Sequence, residues 1–325
     1  MTLPPDLTVK PATRPALWLR TPPAIFPPVL GLMGLALGWR RAVGGFGIPA
    51  GLADLLAGAV ALLFLFVLVA YAAKMMRRPG VAIADLKILP GRAGLAAAVL
   101  AGLMFSVLLG PVAPGAARIV FWIALALQGA LIGAILFVFA TGPAEQRRVT
   151  PVWHLSFTGV IVTALAAQPL GYAGLGSALF WVALAAASTI WLISLQQLSR
   201  AGVPAPLRPL MAIHLAPAAL MGTVATGFDA QGIAGVLAIL SALILAAGVL
   251  RLRWLLAAGF SPLWGALTFP LAATAGFWVA LGGVWLIPGG VLLAAASVIV
   301  PAIAIKVLQL WAKGQLAAKT GAVAA

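Results

Sequence analysis

Residues 261–284, SPLWGALTFPLAATAGFWVALGGV, carry no charged side chain and are long enough as a helix to cross about 30 Å of hydrocarbon. Pro262 opens the run, where a missing N–H costs nothing. Pro270 stands eight residues further in, where it removes a backbone hydrogen bond and bends the axis. The same spacing separates Pro209 from Pro217. Working outward from these two segments, apolar runs recur at 24–42, 52–73, 92–112, 118–140, 152–171, 175–197, 208–227, 232–252, 263–284 and 289–311, which predicts ten spans.

The first run of each pair begins on proline: Thr21-Pro22-Pro23, Leu89-Pro90, Thr150-Pro151, Arg208-Pro209 and Ser261-Pro262. Successive openings lie 68, 61, 58 and 53 residues apart, a two-span repeat that implies five helical hairpins set in parallel around a common axis. Deeper prolines, Pro27, Pro28, Pro217 and Pro270, mark helix kinks in odd-numbered members. Within a bilayer the carbonyls freed by a kink need protein or water beside them. Odd helices therefore belong inside, and straight even runs such as 55–70 and 235–250 belong outside against lipid and neighbouring subunits. The expected fold is an all-α integral membrane protein, ten transmembrane helices in quasi-five-fold arrangement around a central pore lined by odd-numbered helices. A solid bundle whose kinks only shape packing is the competing arrangement.

Charge orients this array. One set of connections holds Lys10, Arg14, Arg20, Lys74, Arg77, Arg78, Lys87, Arg92, Arg147, Arg148, Arg200, Arg208, Arg251, Arg253, Lys306, Lys313 and Lys319; the other holds only Arg40, Arg41 and Arg118. By the positive-inside rule both termini are cytoplasmic, which agrees with an even span number. The expected division is a cytoplasmic tail over 1–20, a membrane domain over 21–312 and a second cytoplasmic tail over 313–325, in a bacterial-type inner (plasma) membrane. The first tail is polar and Pro-containing and reads as extended rather than as a cleaved signal.

Composition narrows the chemistry. With 64% hydrophobic and 8% charged residues the chain lacks the polar surface of a soluble globule. Its net charge of +15 is spread over helix ends, so it fits topology and anionic lipid, not nucleic acid. Absence of cysteine removes disulfides, thiol catalysis and Cys-held metals. No paired carboxylates, nucleophile with base, metal cluster or phosphate loop stands out, so neither an enzyme nor a resident cofactor is expected.

The segments Thr21–Ala42 (TPPAIFPPVLGLMGLALGWRRA) and Ala266–Trp278 (ALTFPLAATAGFW), with the span number, orientation and proline placement, resemble the family of the bacterial tellurite-resistance protein TehA, the plant slow-type anion channel and the fungal malic-acid transporter. The resemblance covers about 20 to 312. It implies five hairpins with odd helices inside, a homotrimer with one pore per subunit, and a pore closed midway by a phenylalanine of the ninth helix. Phe269 before Pro270 fits that gate.

The acidic residues Asp6, Asp54, Asp85, Glu145 and Asp229 all fall outside the predicted span centres, with Asp54 and Asp229 placed to cap outer helix starts. A pathway free of fixed negative charge with a basic rim suits small inorganic or organic anions and disfavours a cation pump. Hydroxyls of Ser156, Thr158 and Thr268 are candidates to replace hydration, and Phe26, Phe105 and Phe157 for further constrictions. His154 and His214 either mark the cytoplasmic vestibule or are ordinary histidines bonded to backbone carbonyls; haem ligation by the two is a further possibility. The leading expectation is a gated passive anion channel. A carrier or exporter of organic acids, C4-dicarboxylates such as malate, or of oxyanions such as tellurite is the alternative, with histidines the only groups suited to proton coupling. The Gly34/Gly38 and Gly129/Gly133 spacings suit close helix approach. Trp18, Trp39, Trp278, Trp285 and Trp311 suit the membrane interfaces, and Lys306 suits a snorkelling end.

Overall fold

A computed structural model describes residues 17–322. Lys10, Arg14, Asp6 and most of the predicted N-terminal tail lie outside the described residues. No strand occurs among the described residues. The principal helices are α1 (Phe26–Phe46), α2 (Ala50–Arg77), α3 (Leu89–Leu109), α4 (Pro114–Thr141), α5 (Val160–Ala167), α6 (Ala173–Arg200), α7 (Leu215–Gly227), α8 (Gln231–Leu250), α9 (Gly265–Leu281) and α10 (Leu286–Ala312). Among the described residues eight helices are long and apolar enough to cross a membrane, which makes the chain an integral membrane protein.

Two predicted spans differ from the rest. In α1 the apolar run is diluted by Pro27 and Pro28 at one end and Arg40 and Arg41 at the other. The fifth, predicted over 152–171, divides into a π-helix at His154–Thr158 and the short α5. The seventh starts earlier than its opening proline suggests: a 3-10 helix over Ala205–His214 contains Pro209 and leads into α7. Pro27 and Pro28 occupy the first turn of α1, where an absent N–H leaves no bond unmade, rather than an interior kink. Pro217 likewise stands in the first turn of α7, after the 3-10 helix, whereas Pro270 lies inside α9 as expected. Pro301 lies inside α10, which corrects the assignment of interior prolines to odd members alone.

Neighbour relations follow a regular order. Helices α1, α3, α5, α7 and α9 each touch the next, and α9 returns to α1. Each even helix leans on its own hairpin partner and on the following odd helix, α10 closing the series on α9 and α1. Burial separates the two sets. The most apolar stretches of the even helices are 22–33% buried, those of the third, seventh and ninth segments 56–78%. Side chains such as Leu55, Leu62, Leu195 and Val298 are left exposed on the even helices, a surface suited to hydrocarbon.

Glycine sets the closest approaches. At Gly31 a Cβ would stand 2.2 Å from Thr268 Oγ1, and at Gly38 it would meet Gly276 and Leu293, so α1 and α9 nearly touch. The same four-residue spacing at Gly129 and Gly133 faces open space. A Cβ at Gly94 of α3 would fall 2.3 Å from the carbonyl carbon and oxygen of Pro23, which are backbone atoms and cannot yield cheaply. Gly94→Val is therefore expected to lower stability by about 1–3 kcal/mol or more, read as a lower melting temperature of the detergent-solubilised protein. An unchanged melting curve would show that the first and second hairpins do not meet there.

Several polar expectations are corrected by burial. Trp278 and Trp311 are covered by protein instead of standing free as anchors, donating to Ser241 Oγ at 3.0 Å and to Thr21 Oγ1 at 3.2 Å. Asp54 is no cap, since α2 begins at Ala50 and the carboxylate pairs with Arg40 at 3.2 Å. Asp229 makes no side-chain cap to α8 and instead adopts φ 57° at the turn. Asp85 is not a solvated loop carboxylate. It is fully buried on the short helix Val81–Leu86 and paired with Lys74 at 3.2 Å. Within the predicted C-terminal tail, Leu316–Thr320 forms a further short helix whose Leu316 is buried.

Candidate functional site

The starts of the odd segments converge, with Pro90 and Pro262 the opening prolines that line the meeting point. Ala24 and Pro27, Pro90 and Ala93, Leu155, Leu210 and Ile213, and Pro262, Leu263 and Ala266 surround one cavity of about 30 Å³, so every odd segment contributes to it. A second cavity of about 20 Å³ is bordered by Leu100 of α3, His154, Leu155 and Thr158 of the fifth segment, Ile213, Pro217 and Leu220 of the seventh, and Phe269 of α9. Leu155 and Ile213 border both. Each volume is close to what one or two waters need, about 10–15 Å³ apiece, and the walls are almost wholly apolar. An ion in either cavity would find little there to replace its hydration beyond His154 and Thr158 at the second.

Phe269 is 4% exposed. Its ring lies over Gly34, where a Cβ would come within 3.0 Å of ring Cδ2, and its other side borders the second cavity. Directly after it, Pro270 cannot donate to the carbonyl one turn back, so α9 is loosened at the residue carrying the ring. Thr268 holds the other flank. Its hydroxyl lies 2.7 Å from the Gly265 carbonyl and 3.2 Å from that of Pro27, tying α9 to the start of α1. That use of the hydroxyl leaves Thr268 away from both cavities.

The π-helix explains the polar wall. Its widened turn sets Thr158 Oγ1 3.2 Å from His154 Nδ1, and Gly159 at its exit admits Leu100, to which a Cβ would stand 3.0 Å. His154 Nε2 lies 2.9 Å from His214 Nδ1, with the rings edge to face at 5.0 Å. His214 Nε2 is buried with no hydrogen-bond partner. Thr158, His154 and His214 thus form a short chain whose proton positions depend on the tautomers, reaching from the second cavity to the side of α6, where Trp191 donates to the His214 carbonyl at 3.2 Å. Only His154 of the two borders a cavity.

Other candidates are placed elsewhere. Phe26 is fully buried against Tyr71 of α2, Phe105 meets Phe64 of α2, and Phe157 meets Trp153 in a cluster with Phe139 of α4. Their rings meet aromatic partners there, and none borders either cavity. Ser156 is buried but borders neither cavity. Among the described residues no carboxylate lines either cavity, and no group of three metal-ligating side chains occurs. The meeting of His154 with His214 across 60 residues escaped the sequence reading; their positions three and five residues past Pro151 and Pro209 were the available signal.

The family model SLAC1, voltage-dependent anion channel, matches residues 20–311 of the chain. None of the curated proteins matches it.

Proposed function

The chain belongs to the voltage-dependent anion channel family, and on that premise we propose that it is a gated passive transmembrane channel for small anions, occluded by the ring of Phe269. The family's members are channels and transporters of anions, not enzymes. The observation that carries the reading is the place of Phe269, bordering an apolar cavity enclosed by odd segments that contact one another in a closed order. That order also supports ten spans, five hairpins in quasi-five-fold arrangement and a pore within the odd helices. The fifth span, though broken, is continued by its π-helix.

In this proposal Phe269 and the bend at Pro270 form the gate, while His154, Thr158 and Pro217 line the conduit beside it. The proline end faces the cytoplasm, residues 21–312 form the conducting domain within a bacterial-type inner membrane, and the chain assembles as a homotrimer in lipid. Dewetting closes the pore, and absence of fixed negative charge favours anions when the ring moves. The test is current through purified protein in planar bilayers under a potassium chloride gradient. A reversal potential near that of chloride is expected; cation selectivity would overturn the reading, as would no current from protein that moves labelled malate.

One observation favours a second reading, a carrier for organic acids such as malate or for oxyanions such as tellurite. The histidine chain beside the cavity is a place to hold a proton during transport. Proton uptake in fixed ratio with malate flux into liposomes would support it. Malate flux without proton movement would remove proton coupling.

A further inference from the structure

Two adjacent arginines near the ends of α1 opposite the proline cluster have different surroundings. Arg40 is neutralised: it pairs with Asp54 at 3.2 Å and donates to the Leu108 carbonyl at 2.9 Å. Arg41 is partly buried and has no ion pair or hydrogen bond among the described residues. Its position is set by the α1–α9 seam. Gly34 receives the ring of Phe269; seven residues on, close to two turns and about 10 Å of helix rise, Arg41 follows Gly34 and Gly276 follows Phe269 on the same faces. At Gly276 a Cβ would stand 3.0 Å from Arg41 Nη1, so the guanidinium occupies space that a side chain there would take.

We propose that Arg41 is an anion-binding residue of the pore, holding a small permeating anion on the far side of Phe269 from the proline end. This rests on the channel reading for its consequence but not for the binding itself. The Arg41 nitrogens are not sealed from solvent and no carboxylate or carbonyl occupies them, so their N–H donors are free to take an anion. The half-closed setting also suits weak, exchangeable binding, which a conducting pathway requires. Its fork of N–H donors matches planar oxyanions such as nitrate or a carboxylate, and a halide occupies the same place as a point charge. Arg118, the third basic residue at that end, is exposed and serves as the comparison.

The experiment uses full-length protein carrying Phe269→Ala, with Arg41→Gln, Arg41→Lys and Arg118→Gln added separately. At about 10 mM salt, where the screening length is roughly 30 Å, Arg41→Gln is expected to lower anion conductance about threefold or more, and at about 1 M the difference closes. Arg41→Lys keeps the charge and retains most of the conductance while losing preference for nitrate over chloride. Equal losses for Arg41→Gln and Arg118→Gln would reduce the effect to the surface field and overturn the proposal. Chloride-35 line broadening by the purified proteins, with and without added nitrate, separates binding from conduction. Broadening reduced by Arg41→Gln but not by Arg118→Gln supports the site even where no variant conducts, in which case only the channel reading falls. Broadening equal in all variants overturns the site.

Discussion

Phe269→Ala is expected to raise anion current at least about tenfold over the wild type, equivalent to removing about 1.4 kcal/mol or more from the barrier. The wild-type ring borders an apolar cavity with room for about one or two waters, where an anion would lose most of its hydration and find only His154 and Thr158 as polar neighbours. Removing the phenyl group joins its volume to the second cavity and lets water follow. The ring rests on Gly34 and on no side chain of that residue, so its loss is not refilled by α1. Truncating a buried phenylalanine typically costs about 3–5 kcal/mol of stability, so Phe269→Leu is the companion variant, milder in packing and expected to fall between the two in current. Reversal potentials in a chloride gradient check that the added current is anionic. Folded Phe269→Ala and Phe269→Leu proteins conducting no more than the wild type would place the obstruction elsewhere, with Leu155 and Ile213 next, since both border the two cavities.

Asp85→Ala is expected to destabilise the protein by about 3–5 kcal/mol, the usual consequence of leaving one member of a buried ion pair alone. Lys74 and Asp85 are both fully buried, and Tyr71 adds a hydrogen bond to the same carboxylate oxygen at 3.0 Å. The other carboxylate oxygen has no partner, so the site holds no spare donors to soften the change. Tyr71 also meets Phe26 edge to face with centroids 5.9 Å apart, and this links the pair to the opening turn of α1 beside the proline-lined cavity. Thermal unfolding followed by circular dichroism is the measurement. Lys74→Met and Asp85→Leu combined with Tyr71→Phe are expected to recover most of the loss, because apolar groups of similar size need no solvation and the Tyr71 hydroxyl is not left unpaired. A single variant that melts with the wild type would mean that water reaches Lys74 and that the pair is not sealed.

Much of this protein was legible without coordinates. Helical class and membrane residence follow from local properties: runs of apolar residues that must satisfy their own backbone in lipid, broken by prolines at intervals of 53–68 residues. The first members of the pairs were marked for the interior by Pro217 and Pro270, and burial bears out that division for the third, seventh and ninth segments. Phe269 was selected by its neighbour Pro270 together with a family resemblance, not by periodicity. The π-helix at His154–Thr158 was not legible, since no proline or glycine inside it announces a widened turn.

What tertiary structure alone decided is which side chains meet. Phe26, Phe105 and Phe157 lie in odd segments as Phe269 does, yet those three pack in aromatic clusters and Phe269 borders a cavity, because facing is set by how far each helix is rotated in its packing. Lys74 and Asp85, only 11 residues apart, read as loop charges until the short helix that carries Asp85 folds back on α2 and covers both. The approach of His154 to His214, and of Arg41 to the bare backbone at Gly276, joins segments distant in sequence. Apolar patterning determines which helices form because each residue pays its own transfer cost into lipid; pairwise contacts between helices depend on rotation and closest approach, which belong to no single segment.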